Sequence, residues 1–339
     1  MLHKKVLYLG NMLSKYGKTP TSVETLGEKL SEIAIVKRYS EKKGQLARML
    51  DFFFATIRFG PKVNFVLIDT YSTFAFYYAF FISVFLKLFR VNYIPILHGG
   101  NLPFRLERSK WMSKFLFRNA FINVAPSGYL KTSFEKAGFS VLQIPNYIDI
   151  QDYTFLQRDS VRPRILWVRS FHRIYQPDLA IQVFDRLRIH FPEAKLCMVG
   201  PDKDGSLERC KRLAADKGLQ EVVHFTGRMD KKDWTALSRE FDIFLNTTSV
   251  DNTPVSVMEA MALGMIVVTT KVGGIPWLFE NERHGFMVDM PFEDEIINKL
   301  LTILDQKNNY SNISSQARKK AEEWDWDIIS GQWAALFNS

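Results

Sequence analysis

Cysteine is nearly absent from this chain of 339 residues: only Cys197 and Cys210 occur, one in a strand-like and one in a helix-like segment. Two such thiols suggest neither a disulfide framework nor a metal site, and a reducing compartment is the expected setting. Long hydrophobic runs are scarce as well. The uncharged stretch Thr70–Leu86 (TYSTFAFYYAFFISVFL) has 17 residues and contains Ser72, Thr73, Tyr77, Tyr78 and Ser83, so it reaches only the lower edge of a spanning helix. Strand-like segments bracket it, and a buried crossover helix is the expectation. No G-x-G-x-x-G follows the first strand, which argues against a dinucleotide dehydrogenase. No His-Asp-Glu cluster has metal-ligand spacing, and Asp202 with Asp204 in a Gly-containing turn lacks partners, so a metal-independent reaction is expected. The N-terminal MLHKKVLYLG enters a strand directly and lacks the apolar stretch and cleavage site of a signal peptide, from which a cytoplasmic location is expected.

Hydrophobic residues make up 47% of the chain and aromatics 14%, and the length fits two domains better than one core. Apolar strand candidates at Val6–Leu9, Ile33–Val36, Phe65–Ile68, Tyr93–Leu97, Ile122–Val124 and Val141–Ile144 alternate with helical stretches. A second series follows at Ile165–Val168, Leu196–Val199, Val222–Phe225, Ile243–Leu245, Ile266–Thr270 and Phe286–Val288. Such alternation predicts α/β domains with parallel sheets covered on both faces. A polar stretch, Gln151–Arg164, separates the series. The predicted domains are residues 1–155 and 163–323, with 324–339 forming a C-terminal helix that packs back on the first domain.

Charge is divided unevenly. Residues 1–150 hold 21 Lys plus Arg against 9 Asp plus Glu, a net of +12, while residues 151–339 carry a net of −3. The first part also holds 17 of the 28 Phe. A basic, Phe-rich domain suits an anionic membrane surface. Nucleic acid is the rival partner, but no recognised binding motif accompanies the charge.

The most informative window is Asp251–Gly274, DNTPVSVMEAMALGMIVVTTKVGG. After the buried strand DIFLN, Thr253 is the predicted N-cap and Pro254 the first residue of a helix running to Leu263. Gly264 is its C′ stop and Ile266–Thr270 the next parallel strand. The N–H groups of Val255, Ser256 and Val257 lack intrahelical partners at such a start, where the macrodipole favours a phosphate. Glu259 shares a helix face with Ser256 and leans toward the helix start. A carboxylate there suits hydroxyls and an anion site suits phosphate, so the ligand expected is one carrying both, such as a nucleotide sugar. Asp251, in the preceding loop, offers acceptors to a second set of hydroxyls.

This window resembles the donor-binding motif of the retaining glycosyltransferases of family 4, in which two acidic residues separated by seven others are followed by Ala, a Gly, a short strand and a Gly-Gly turn. Asp251 and Glu259 occupy the acidic positions, followed by Ala260, Gly264, Val267, Val268, Thr269, Gly273 and Gly274. The first acidic position is usually Glu in that family and is Asp here. The resemblance implies the GT-B fold: two Rossmann-like, doubly wound parallel-sheet domains facing across a cleft. It also implies that Glu259 holds the ribose of the donor, that the helix start around Thr253, Val255 and Ser256 holds the diphosphate together with Arg169, and that Asp251 and His98 attend the reacting sugar.

Other segments are similar to the family with unequal strength. Leu97-His98-Gly99-Gly100-Asn101 ends a strand of the first domain, and Ala125-Pro126-Ser127 with Ile144-Pro145-Asn146 looks like the run into the interdomain linker. The first βα turn, Gly10–Thr21, offers Asn11, Lys15, Lys18 and Thr19, with Thr21 or Ser22 capping the next helix. In the second domain, Arg169-Ser170-Phe171-His172-Arg173-Ile174-Tyr175 stands where the family has Gly-Arg and then Lys-Gly. An ungapped register puts Ser170 and Tyr175 at the cationic positions, leaving Arg169 as the nearest guanidinium and Arg173 as the second. Val199-Gly200-Pro201 and Thr226-Gly227-Arg228 look like the nucleotide pocket, and Gly274 closes the donor motif.

What the resemblance implies is a retaining, metal-independent transferase with no cofactor beyond a UDP- or GDP-linked sugar as co-substrate. Its partners are then that nucleotide sugar, a lipid-linked or glycan acceptor and an anionic membrane surface at the inner face of the cell membrane, with no nucleic acid. The product expected is a bacterial surface glycan such as an exopolysaccharide, capsule or lipopolysaccharide. A nucleotide-sugar epimerase of the same fold and a non-catalytic sugar-binding protein of two domains are the rivals; the latter normally carries an export signal.

Overall fold

The computed structural model describes residues 4–17, 19–289, 293–304 and 310–339. The chain divides into two compact units, one of residues 1–145 with 327–339 and one of residues 146–326. The polar stretch Gln151–Arg164 lies inside the second unit, and most of the last helix, Trp326–Asn338, counts with the first. Within that unit the Phe337 ring stacks on Phe65 at 5.9 Å.

The first unit carries β1 (Lys5–Leu9), β2 (Ile35–Tyr39), β3 (Phe65–Thr70), β4 (Tyr93–Leu97), β5 (Asn123–Ala125) and β6 (Val141–Gln143), all parallel in the order β2-β1-β3-β4-β5-β6. The second carries β7 (Arg164–Val168), β8 (Lys195–Val199), β9 (Val223–Gly227), β10 (Ile243–Asn246), β11 (Ile266–Thr270) and β12 (Phe286–Val288), again parallel, in the order β12-β11-β10-β7-β8-β9. Every residue of β3, β4, β10 and β11 is buried, as a strand covered by helices on both faces requires. Packing on those faces places Val66, Phe76 and Phe117 in the first core and Trp167, Phe184 and Leu245 in the second.

All twelve expected strands form. The largest displacement is at β2, expected from Ile33 and found from Ile35. A 3-10 turn over Leu30–Glu32 takes Ile33 and Ala34 first, both amides bonding back to the Leu30 carbonyl at 3.1 and 2.9 Å.

Strand order decides where a ligand can approach. In an open parallel sheet, ligands bind beyond the carboxyl ends of strands where the winding reverses. The reversal falls between β1 and β3 in the first unit, and between β7 and β10 in the second. The segments leaving those strands begin at Gly10, Tyr71, Arg169 and Thr247.

The stretch Thr70–Leu86 forms the end of β3 and the crossover helix Ala75–Leu88. Among the described residues no helix is long and apolar enough to cross a membrane. The helix buries Phe76, Ala79, Ile82 and Leu86 yet leaves Phe81, Val84 and Leu88 outside. Beside it, helix Gln45–Phe59 buries Phe52 and Ala55 and exposes Leu46, Leu50, Phe54 and Ile57, spaced by four, four and three residues along one outer face. The two helices meet through Phe53 and Phe85, whose rings lie 4.4 Å apart edge to face.

Candidate active site

In the second unit the segment after β10 is stitched to the segment after β7. Thr247 Oγ1 lies 2.8 and 3.0 Å from the carbonyl oxygens of Tyr175 and Gln176 and takes a hydrogen bond from Trp167 Nε1. The Ser249 amide donates to the Ile174 carbonyl at 2.8 Å. These bonds bring Arg169 to Asp251: the guanidinium Nη2 pairs with Asp251 Oδ2, both side chains being largely buried. The guanidinium also lies over the Tyr175 ring, 4.2 Å from its centre. Tyr175, at a place where the family carries a cation, thus forms a ring face beneath the cation that is present.

Asp251 is more committed than the sequence suggests. Its Oδ1 accepts from the Asn252 amide at 2.8 Å while Oδ2 holds Arg169, so the carboxylate first orients a guanidinium. The Gly273-Gly274 turn is explained by the same loop. A Cβ on Gly273 would stand 1.9 Å from the Asp251 carbonyl oxygen and one on Gly274 1.8 Å from that of Asn252. No side chain fits where these backbones cross. Gly200 acts similarly at the end of β8, where a Cβ would meet the Arg169 carbonyl oxygen at 1.8 Å.

The helix of the motif spans Val255–Ala262, which corrects its predicted start. Pro254, with ψ of 108°, is the N-cap, and Thr253 stands one residue before it. The Thr253 carbonyl is turned to Asn146, whose Nδ2 donates to it at 3.3 Å, so intrahelical acceptance begins at Pro254. Its carbonyl takes the Val257 amide at 3.0 Å, and only Val255 and Ser256 keep amides without a partner among the described residues. Ser256 Oγ and Arg169 Nε are buried, also without hydrogen-bond partners among the described residues. Leu263 closes the helix and Gly264 follows with φ of 76°, the left-handed stop its position predicts.

Glu259 sits one turn in. Its Oε1 accepts from the Tyr153 hydroxyl at 2.6 Å and lies 3.8 Å from Lys231 Nζ, which itself stands over the Tyr153 ring at 4.6 Å. Burial pushes the Glu259 carboxyl above the ordinary glutamate range, against the opposing pull of Lys231, Tyr153 and Arg169. Burial, then Glu259, pushes the Tyr153 hydroxyl up as well. Two amides, a serine hydroxyl and a guanidinium therefore offer donors for an anion, while a carboxylate next to them offers an acceptor for hydroxyls.

Arg173 is placed apart from this group. It is exposed, and its backbone amide rather than its side chain is engaged, donating to Asp204 Oδ2 at 3.0 Å. Arg228, after β9, is exposed as well.

In the first unit, His98 follows β4 and is not a lone polar cap. Its Nε2 lies 2.7 Å from Asp69 Oδ1 of β3, which also accepts from the Tyr8 hydroxyl of β1 at 2.8 Å. The Tyr71 ring stacks on the imidazole at 4.7 Å. Asp69 Oδ2 is buried without a hydrogen-bond partner among the described residues, and burial, then Asp69, holds the Tyr8 and Tyr71 hydroxyls well above the ordinary tyrosine range. One imidazole nitrogen is thus taken, leaving Nδ1 for a ligand. Asn11 is half-buried after β1, its carbonyl accepting from the Thr21 hydroxyl at 2.6 Å. Thr21 is the N-cap of the next helix, Lys15 pairs with Glu41 and Thr19 is exposed, whereas Lys18 lies outside the described residues.

Sequence reasoning missed Tyr153, Lys231 and Asp69. Asp69, a lone carboxylate in the apolar run FVLIDT, is the one with a visible signal.

Residues 154–320 match the sequence family described as Glycosyl transferases group 1. The sulfoquinovosyl transferase of Arabidopsis thaliana is 28% identical over 153 residues, covering 44% of this chain and 28% of that protein. The N-acetyl-alpha-D-glucosaminyl L-malate synthase of Bacillus anthracis is 25% identical over 177 residues, 51% of this chain and 44% of the relative. The chain thus spans less than half the length of these curated relatives. Among solved structures, Anabaena HepE in complex with UDP superposes with a TM-score of 0.78 at 17% identity, covering 99% of both chains. The structural likeness shows the fold, GT-B with two Rossmann-like units, and the family match covers just under half of the chain.

Proposed function

We propose that the protein is a retaining glycosyltransferase of family 4 that moves a hexose-type sugar from a UDP- or GDP-linked donor to a growing bacterial surface glycan. The observation that carries this reading is the pairing, within one loop and helix, of an anion site with a largely buried carboxylate. The site comprises the Val255 and Ser256 amides, Ser256 Oγ and the Arg169 guanidinium pinned by Asp251; the carboxylate is Glu259. The diphosphate takes the first and the ribose hydroxyls the second. HepE has been solved with UDP and with UDP-glucose, which supports a nucleotide-sugar donor here. In the reaction, the bond from the sugar to the diphosphate breaks as the acceptor hydroxyl bonds to the sugar on the same face, and its proton passes to a phosphate oxygen. The reading needs no metal and no cofactor beyond the donor.

Calorimetric titration with UDP and GDP tests it. Glu259→Ala should weaken binding of the preferred nucleotide by about 1–3 kcal/mol, the scale of charge-assisted hydrogen bonds, and unchanged affinity would remove Glu259 from the ribose. A pH series adds a signature. Because burial raises the Glu259 pKa, its linkage favours the folded state below the ordinary glutamate value and that contribution is lost as pH rises through the raised value. Hydroxyls donate to the ionised form, so nucleotide affinity should climb over the same window, and Glu259→Gln should flatten the climb.

Peripheral attachment at the inner face of the cell membrane belongs to the same proposal. It is supported by the net charge of +12 in residues 1–150 and by the outer apolar faces of helices Gln45–Phe59 and Ala75–Leu88, alongside which Arg58, Lys87 and Arg90 are exposed. The protein should pellet with anionic vesicles at low ionic strength and return to the supernatant when salt is raised, because such attraction is screened. Retention reversed only by detergent would show insertion instead.

A further inference from the structure

On the first unit, Ser72, Asn101, Phe104, Arg105 and Arg108 line an open groove of about 450 Å³. One of these side chains is unusual. Arg105 is 9% exposed, yet among the described residues its guanidinium meets only ring faces, those of Phe76 and Tyr77, at 4.7 and 4.8 Å. Its Nε is buried without a hydrogen-bond partner, and no carboxylate among the described residues pairs with it. Glu107, the one acid of helix Leu102–Arg108, is exposed and forms no ion pair with it. Ring faces attract a cation but leave its N–H donors unsatisfied, and a buried charge without a hydrogen-bonded counter-charge is costly. The contrast with Arg158 in the second unit is direct: that buried guanidinium donates to the carbonyls of Leu263 and Phe241 and pairs with Asp242.

The groove supplies what the missing partner requires. Arg108 lies three residues on, on the same side of the short helix, and adds a second guanidinium. Asn101 and Ser72 add neutral donors, and Phe104, 69% exposed, adds an apolar wall. Arginine pairs bind phosphate oxygens through parallel N–H bonds, and a planar guanidinium backed by aromatic rings is already oriented for this. We propose that this groove binds a phosphate group carried on an apolar chain. Its identification with the acceptor's phosphate rests on the glycosyltransferase reading, whereas the anion site itself does not.

Calorimetry with monohexyl phosphate below its micelle concentration, inorganic phosphate and hexanol tests the proposal. Monohexyl phosphate should bind, inorganic phosphate should bind about tenfold more weakly or worse, and hexanol should give no saturable heat. Arg105→Gln and Arg108→Gln should each weaken monohexyl phosphate by about tenfold or more, with Arg105→Lys between them and the natural protein. Arg108 is exposed, so its variant reports on the site even where Arg105→Gln fails to fold. Absence of phosphate binding, or unchanged affinity in Arg108→Gln, overturns the site. Equal affinity for inorganic and hexyl phosphate overturns the apolar chain and assigns the groove to free phosphate. UDP and GDP titrated in turn into the same sample read the second unit separately: failure of both sinks the transferase reading and leaves the groove standing.

Discussion

On the glycosyltransferase reading, Arg169→Ala is expected to cut turnover, measured as nucleoside diphosphate release from the donor, by about a hundredfold or more while weakening nucleotide binding much less. Negative charge on the diphosphate grows as the sugar departs, so a guanidinium at that point acts more on the transition state than on the bound donor. The structure singles out Arg169 because Asp251 and the Tyr175 ring hold it in place, while its Nε remains buried and unpartnered. Arg173, exposed and joined to its surroundings through its backbone, should tolerate the same change with little loss. A large loss in Arg173→Ala with none in Arg169→Ala would reverse the assignment.

The largest effect on stability is expected at Arg158. Replacement by Met should lower the unfolding free energy of the second unit by about 3 kcal/mol or more, because the Leu263, Ser238 and Phe241 carbonyls lose their buried donor while Asp242 keeps Arg162. Arg158 is 3% exposed, and burial lowers its pKa to about 10 despite the neighbouring Asp242. Its guanidinium ties the Leu263, Ser238 and Phe241 carbonyls to its own segment. Urea unfolding followed by tryptophan fluorescence would show it, since Trp167, Trp234, Trp277, Trp324 and Trp326 all belong to this unit. A midpoint unchanged from the natural protein would mean that those carbonyls do not depend on Arg158.

Much of the fold was legible because parallel strands buried on both faces are written as short apolar runs, and IVVTT or FVLID can hardly be anything else between helical stretches. The helix start was legible in outline and wrong by one residue. Pro at a first helical position is the common pattern, but here Asn146, more than a hundred residues earlier in the chain, holds the Thr253 carbonyl and moves the start to Val255.

The donor-type motif was readable for a similar reason: Asp251, Glu259, Gly273 and Gly274 are close in sequence, and their spacing reflects one loop, one helix turn and one backbone crossing. Tyr153 and Arg158 were not readable. Both lie in the polar stretch between the two strand series, where composition suggests a solvated linker, yet the chain there is pulled against the second unit so that one side chain meets Glu259 and the other a set of carbonyls. Lys231 and Asp69 were missed likewise, since each acts through residues remote in sequence. The sequence by itself determined the strands, their alternation with helices and the local acidic motif, because periodicity and steric demand act over a few residues. Which guanidinium pairs with Asp251, which hydroxyl meets Glu259 and which carboxylate claims His98 were decided only by the tertiary structure, because strand order, not chain distance, sets which strand ends meet.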